Sequence, residues 1–172
     1  MPRKLLPDIP SEDIEGVRLL QTKRYQDAIS FFQKRLDAVD SFAHYGLATA
    51  LFLLKHSSMN VNETKDVICH YNKAIDSNPE LADAYFMCGL AYEQLASALI
   101  REYKKEPYAN AKQRIDEMKI VLTLGKQMLE RSVILNSNFG AQAESELKSF
   151  AQRIKGVEAL RKYYQAQKAS FN

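Results

Sequence analysis

The chain has 172 residues, 46% hydrophobic and 26% charged, with a formal net charge of +3. That length suits one domain or one short repeat array, and high apolar content with low net charge excludes a disordered chain. No apolar run approaches the roughly 20 residues a membrane-spanning helix needs. Met1-Pro2-Arg3-Lys4-Leu5-Leu6-Pro7 carries charge but no apolar stretch of the secretory kind. Two cysteines, Cys69 and Cys88, are too few for a disulfide framework and fit a reducing, cytoplasmic compartment.

Six Gly and five Pro leave little material for hairpin turns, and no Asn-Gly or Asp-Gly dipeptide occurs. Ala, Leu, Lys, Gln and Glu dominate, all strong helix formers, so the expected fold is all-α with about seven helices. Residues 1–10 hold three of the prolines and read as an extended lead-in. Ser11 then stands as an N-cap, with Glu12 and Asp13 where the helix dipole favours acids, and the first helix stops near Thr22. The second covers about 25–37, with Ala28, Ile29, Phe32 and Leu36 on one face; the third covers 41–55. Residues 56–62 read as a polar loop. A fourth helix, about 63–77, buries Val67, Ile68, Tyr71, Ala74 and Ile75.

Asn78-Pro79 stops one helix and starts the next, since proline is accepted at the first helical position. That next helix runs to about residue 104. Glu106-Pro107 turns the chain, and a sixth helix covers about 108–135 with Ile115, Met118, Leu122, Leu129 and Val133 as its stripe. The two form a long antiparallel hairpin. A last helix, about 139–168, carries Ala143, Leu147, Phe150, Ile154 and Val157.

Internal similarity organises these helices. Phe42-Ala43-His44-Tyr45-Gly46-Leu47-Ala48 aligns with Tyr85-Phe86-Met87-Cys88-Gly89-Leu90-Ala91, with Gly16 in the same setting further upstream. Ala28-Ile29-Ser30-Phe31-Phe32 aligns with Val67-Ile68-Cys69-His70-Tyr71. These residues resemble the tetratricopeptide repeat (TPR) family, whose pattern is W-x₂-L-G-x₂-Y, then A-x₃-F, then P. The resemblance covers about 11–137. It implies three helical-hairpin units, about 11–40, 41–79 and 80–137, with 138–172 as a capping helix. The departures are Glu12 in place of the large aromatic, Asp40 in place of the proline, and a stretched third unit. In that unit Gly125, Leu129 and Ser132 stand where Ala, Phe and Ala belong.

Nothing in the sequence points to catalysis. His44, His56 and His70 have no Cys or His at metal-ligand spacing and read as surface or packing histidines, so neither metal nor cofactor is expected. Cys69 and Cys88 read as buried, inert thiols. Gly-rich phosphate loops and Gly-x-Ser-x-Gly are absent.

What remains is binding. The TPR resemblance implies a concave partner-binding face on the first helix of each pair. Its settings are Asp13, Val17, Leu20 and Gln21, then Ala43, Leu47, Ala50 and Leu51, then Phe86, Leu90, Glu93 and Gln94. Val17, Leu47 and Leu90 stand where the carboxylate-clamping members of the family need polar residues. The face therefore reads as an apolar groove for a peptide or amphipathic helix. The expected function is a non-catalytic protein-interaction scaffold, adaptor- or co-chaperone-like, with a homodimer mate or the final helix as other occupants of the groove. Small TPR-like chaperones of type III secretion are an alternative, although they are usually acidic and this chain has a pI near 8.8.

Charge supplies a last alternative. Residues 1–100 hold 10 Lys/Arg against 13 Asp/Glu, and residues 101–172 hold 14 against 8. Arg101, Lys104, Lys105, Lys112 and Arg114 cluster at the hairpin tip with Tyr103 and Tyr108, a pattern that can meet nucleic-acid phosphates. Glu102, Glu106, Asp116 and Glu117 dilute that patch, so nucleic acid ranks behind protein as a partner.

Overall fold

The helix-forming composition is realised directly. The computed structural model describes residues 13–36, 40–105 and 111–170, and among them the chain is helical with no strand. The elements are α1 (Ile14–Gln21), α2 (Tyr25–Lys34), α3 (Ser41–Lys55), α4 (Val61–Ser77), α5 (Ala82–Lys105), α6 (Ala111–Leu135) and α7 (Gly140–Ser170). Short 3-10 turns at His56–Ser58 and Ser137–Phe139 precede α4 and α7. The lead-in over residues 1–10, the Ser11 cap and the Glu106-Pro107 turn lie outside the described residues.

Local chemistry sets most of these ends. Lys23, at φ 60°, turns the chain out of α1. The Asp40 carboxylate accepts from the Ala43 N–H at 2.8 Å, satisfying one orphan donor at the start of α3. Asn60 and Glu63 form a reciprocal capping box that starts α4 two residues earlier than the expected 63. Pro79 is not the first helical residue of α5. The Asn78 side chain accepts from Glu80 N–H at 3.2 Å and its carbonyl accepts from Leu81 N–H at 3.1 Å, a turn that delays the helix to Ala82.

Each helix packs chiefly on its neighbours in the chain, with lighter contact between α1 and α3 and between α3 and α5. Glycines make room for large side chains on adjacent helices. A Cβ on Gly16 would meet the Phe32 ring at 2.5 Å, and one on Gly46 would collide with that same ring, so Phe32 of α2 is wedged between α1 and α3. Gly89 of α5 takes Leu129 of α6, and Gly125 of α6 takes Phe150 of α7. Ser132, fully buried, donates to the Leu129 carbonyl at 2.7 Å. The three atypical residues of the expected third unit are thus its packing residues.

Two apolar cores result. A smaller one joins α1 and α2 to one face of α3 through Val17, Ile29, Phe32, Phe42 and Leu47. A larger one runs from the other face of α3, through Tyr45 and Phe52, to Phe150 and Val157 of α7. α5 and α6, of 24 and 25 residues, are about 36 Å long. Their far end is tied to the body. Arg101 donates to the Met59 carbonyl at 2.7 Å, Lys65 pairs with Glu117 at 3.1 Å, and Leu99, Ile115 and Met118 are buried. The hairpin is therefore packed on the body out to about Arg101 and Ile115.

Two glycine substitutions of opposite sign test this packing. Gly46→Ala gains about 1 kcal/mol of helix propensity. It also overpacks a ring tip that α1 already confines at Gly16, which costs about 1–3 kcal/mol or more, so net destabilisation is expected. A Cβ added at Gly156, within α7, would meet nothing within 4 Å, so Gly156→Ala should stabilise by about 0.5–1 kcal/mol. Urea unfolding of the two variants reads both signs.

Candidate binding surface

The expected groove does not survive as an open face. Val17, Ala43, Leu47 and Ala50 are buried, Leu47 to 2% exposure, because they belong to the smaller core that α1, α2 and α3 build together. The cause is visible in α3 itself. Phe42, Ala43, Tyr45, Leu47, Ala48, Ala50 and Phe52 are apolar on every side, and a helix apolar all round is a buried helix. Asp13 is also buried, paired with Arg35 at 3.0 Å, while Arg35 stands over the Phe31 ring. Gln21 is exposed at the end of α1.

The other settings are half-buried and largely engaged. Leu20 packs on the smaller core, Leu51 on both cores and Leu90 on the larger one. Phe86 stacks on Phe139 with centroids 4.8 Å apart and planes 15° apart. Glu93 accepts from Arg153 of α7 at 2.8 Å, and Arg153 reaches on to the Ser97 hydroxyl at 2.9 Å. The segment from Phe139 into α7 therefore covers the α5 part of the expected strip. Gln94 keeps a buried amide nitrogen with no hydrogen-bond acceptor.

Asp83 opens α5 half-buried near Tyr45 of α3. Loss of solvent pushes its carboxyl from 3.8 up to about 6, against a backbone hydrogen bond that acts the other way.

An apolar groove lies elsewhere, between α6 and α7. Val133, Ile134, Gly140, Leu147 and Ala151 line about 600 Å³, and Ile134 is 73% exposed. The charges on its rims are matched within their own helices, Lys126 with Glu130 at 3.2 Å and Lys148 with Glu144 at 2.7 Å. Both pairs are largely exposed, so they keep the rim soluble more than they add stability.

The basic tip is less available than its composition suggests. Arg101 is committed to the Met59 carbonyl. Arg114 is half-buried in a polar pocket of about 250 Å³ shared with Lys65, Glu102 and Glu117. Lys112 is exposed, and the side chains of Lys104 and Lys105 lie outside the described residues.

The thiols differ from each other. Cys88 is buried beside Asn72, and burial pushes it up to about 12, which keeps it protonated. Cys69 is exposed, correcting the expectation of burial, because it points about 100° away from the Ile68 direction on α4. His44 and His70, 26 residues apart, are brought face to face with their Nδ1 atoms 2.9 Å apart. Sequence spacing missed this pair; the only signal available was that His44 and His70 lie on neighbouring helices.

No family model and no curated protein matches the chain. Among the described residues, no helix is long and apolar enough to cross a membrane.

Two measurements check this placement. Leu47→Ala should cost about 2–5 kcal/mol in urea unfolding, since it leaves a cavity in a core and not a dent in a groove. The folded Asp83 carboxyl holds its proton more tightly than the unfolded one. Its contribution is therefore complete below about pH 4 and is lost as pH rises to about 6. Asp83→Asn should be more stable than the parent at pH 7, by about 1–2 kcal/mol once screening at a half-exposed site is allowed for. The advantage should vanish near pH 4.

Proposed function

We propose that the chain is a non-catalytic protein-interaction module, a divergent TPR-like array in which α7 caps the third hairpin. The aligned glycine settings, the aromatic of α2 packed into two of them, and the neighbour-to-neighbour helix packing support the TPR-like reading. Cys88 is held protonated and Glu93 is engaged by Arg153, so these groups support a structural role more than chemistry. Two free cysteines suit a reducing, cytoplasmic setting.

The observation that carries the binding site is the α6–α7 groove, with Ile134 73% exposed beside Val133, Leu147 and Ala151. Two antiparallel-neighbour helices with an apolar furrow offer the surface on which a further helix packs, so an amphipathic helix of a partner protein is the fitting ligand. The concave strip around Leu47 is not retained as the site, because its residues are core. Nucleic-acid binding at the hairpin tip is weakened by the Arg101 bond to Met59 and by the carboxylates beside Arg114.

Ile134→Lys and Ala151→Arg place charge in the furrow at exposed positions, so both proteins should keep their helicity by circular dichroism. Both should lose the proteins captured by the parent in a pull-down read by mass spectrometry, with affinity falling at least tenfold for any purified partner. An unchanged set of captured proteins with both variants would move the binding surface away from α6 and α7.

A further inference from the structure

We propose that His44 and His70 form a two-imidazole seat for a borderline divalent transition-metal ion, Cu²⁺, Zn²⁺ or Ni²⁺, between α3 and α4. The two rings approach with centroids 5.2 Å apart, tilted by 35°, and Nδ1 atoms 2.9 Å apart. Two nitrogens bound to one metal at about 2.0–2.1 Å, at right angles or tetrahedrally disposed, are themselves about 2.9–3.4 Å apart. The pair already stands at the near end of that range. Imidazole is the ligand these ions share, and Cu²⁺ heads the affinity order for nitrogen donors.

The scaffold around the pair is stiff. One turn further along α3, the Thr49 and Tyr71 hydroxyls are 3.3 Å apart, and the Tyr45 ring packs on Tyr71. His44 is 4% exposed and fixed by its surroundings, while His70 is half-buried and leaves a side open to solvent. Through that side an ion enters and waters complete its shell. Among the described residues no third His, Cys, Asp or Glu completes a protein-only cage. Asp66, one turn before His70 on α4, adds favourable negative charge, and Lys73 opposes it.

The chemistry balances without a co-reactant. In the metal-free pair one Nδ1–H donates to the other Nδ1. On binding, the ion takes both Nδ1 lone pairs, and the bridging proton passes to Nε2 of its own ring, with no bond to carbon made or broken. The seat is distinct from the α6–α7 groove and does not depend on it.

The test uses the full chain, stripped with chelator and free of any histidine tag. A Cys69→Ser background removes the exposed thiol as a competing ligand. Zn²⁺ titration by calorimetry should give one ion per chain, and melting temperature should rise with the logarithm of Zn²⁺ concentration. Cu²⁺ should show electron paramagnetic coupling to two nitrogens. His70→Gln, at a half-exposed position, should weaken Zn²⁺ at least tenfold, and His56→Gln should leave it unchanged. His44→Gln should abolish the two-nitrogen signal. Absence of Zn²⁺ and Cu²⁺ binding by the parent, or equal binding by the parent and His70→Gln, would overturn the proposal and leave the pair as a hydrogen bond between helices.

Discussion

The ring of Phe32 lies between Gly16 and Gly46, and the first half of the molecule depends on that insertion. A fully buried phenylalanine contributes about 1.5–3 kcal/mol through area alone. The larger effect is geometric: the tip of the ring occupies the space that side chains at the two glycines would take, so α1 and α3 both meet α2 there. Val17 shares the resulting core with Ala43, Leu47 and Ala50. The same device recurs with other residues, Leu129 on Gly89 and Phe150 on Gly125, so it joins α1 to α3 through α2 and α5 to α7 through α6, with α4 packed between without a glycine slot.

That device explains where binding is not. A groove requires apolar residues that no neighbouring helix covers, and on α3 the expected settings Ala43, Leu47 and Ala50 are core, while Leu53 and Leu54 reach solvent only at its C-terminal end. Single apolar side chains also reach solvent elsewhere, such as Leu54 of α3 and Ile120 of α6, but the furrow between α6 and α7 gathers Val133, Ile134 and Leu147 in one place. Internal polar links tie separate elements: Arg153 of α7 reaches past α6 to Glu93 of α5, Arg101 of α5 bonds the Met59 carbonyl before α4, and Asp13 at the start of α1 pairs with Arg35 at the end of α2.

Much of this was legible in the sequence. Apolar spacing at three and four located the seven helices, and Ser41–Lys55 and the end of α4 at Ser77 match the expectation. Ends governed by side-chain caps were less legible: the Asn60–Glu63 box and the Asn78 turn each moved a boundary by two or three residues. The groove was misread because its settings came from a family pattern, whereas the absence of any polar stripe on α3 already argued for burial on all sides. The His44–His70 approach was not legible, since it depends on how two helices rotate about their axes, and no spacing along one helix encodes that. The anchoring of the long hairpin was legible in the Ile115 and Met118 stripe, but its bond from Arg101 to the Met59 backbone carbonyl has no signature in residue type.

α3 has a consequence of a mechanical kind. Among the described residues it is the one helix whose opposite faces belong to different cores, and Leu51 is the half-buried residue that touches both. Along the axis of the molecule it acts as a keystone, with a small two-helix block on one side and a larger block on the other. Tension applied at the N-terminal end has a natural fracture plane there. α1 and α2 can be peeled away as a unit, exposing Leu47 and Ala50, while Tyr45, Ala48 and Phe52 keep the rest of the chain assembled. Disassembly is therefore ordered by the architecture, and the first step turns a hidden apolar face outward.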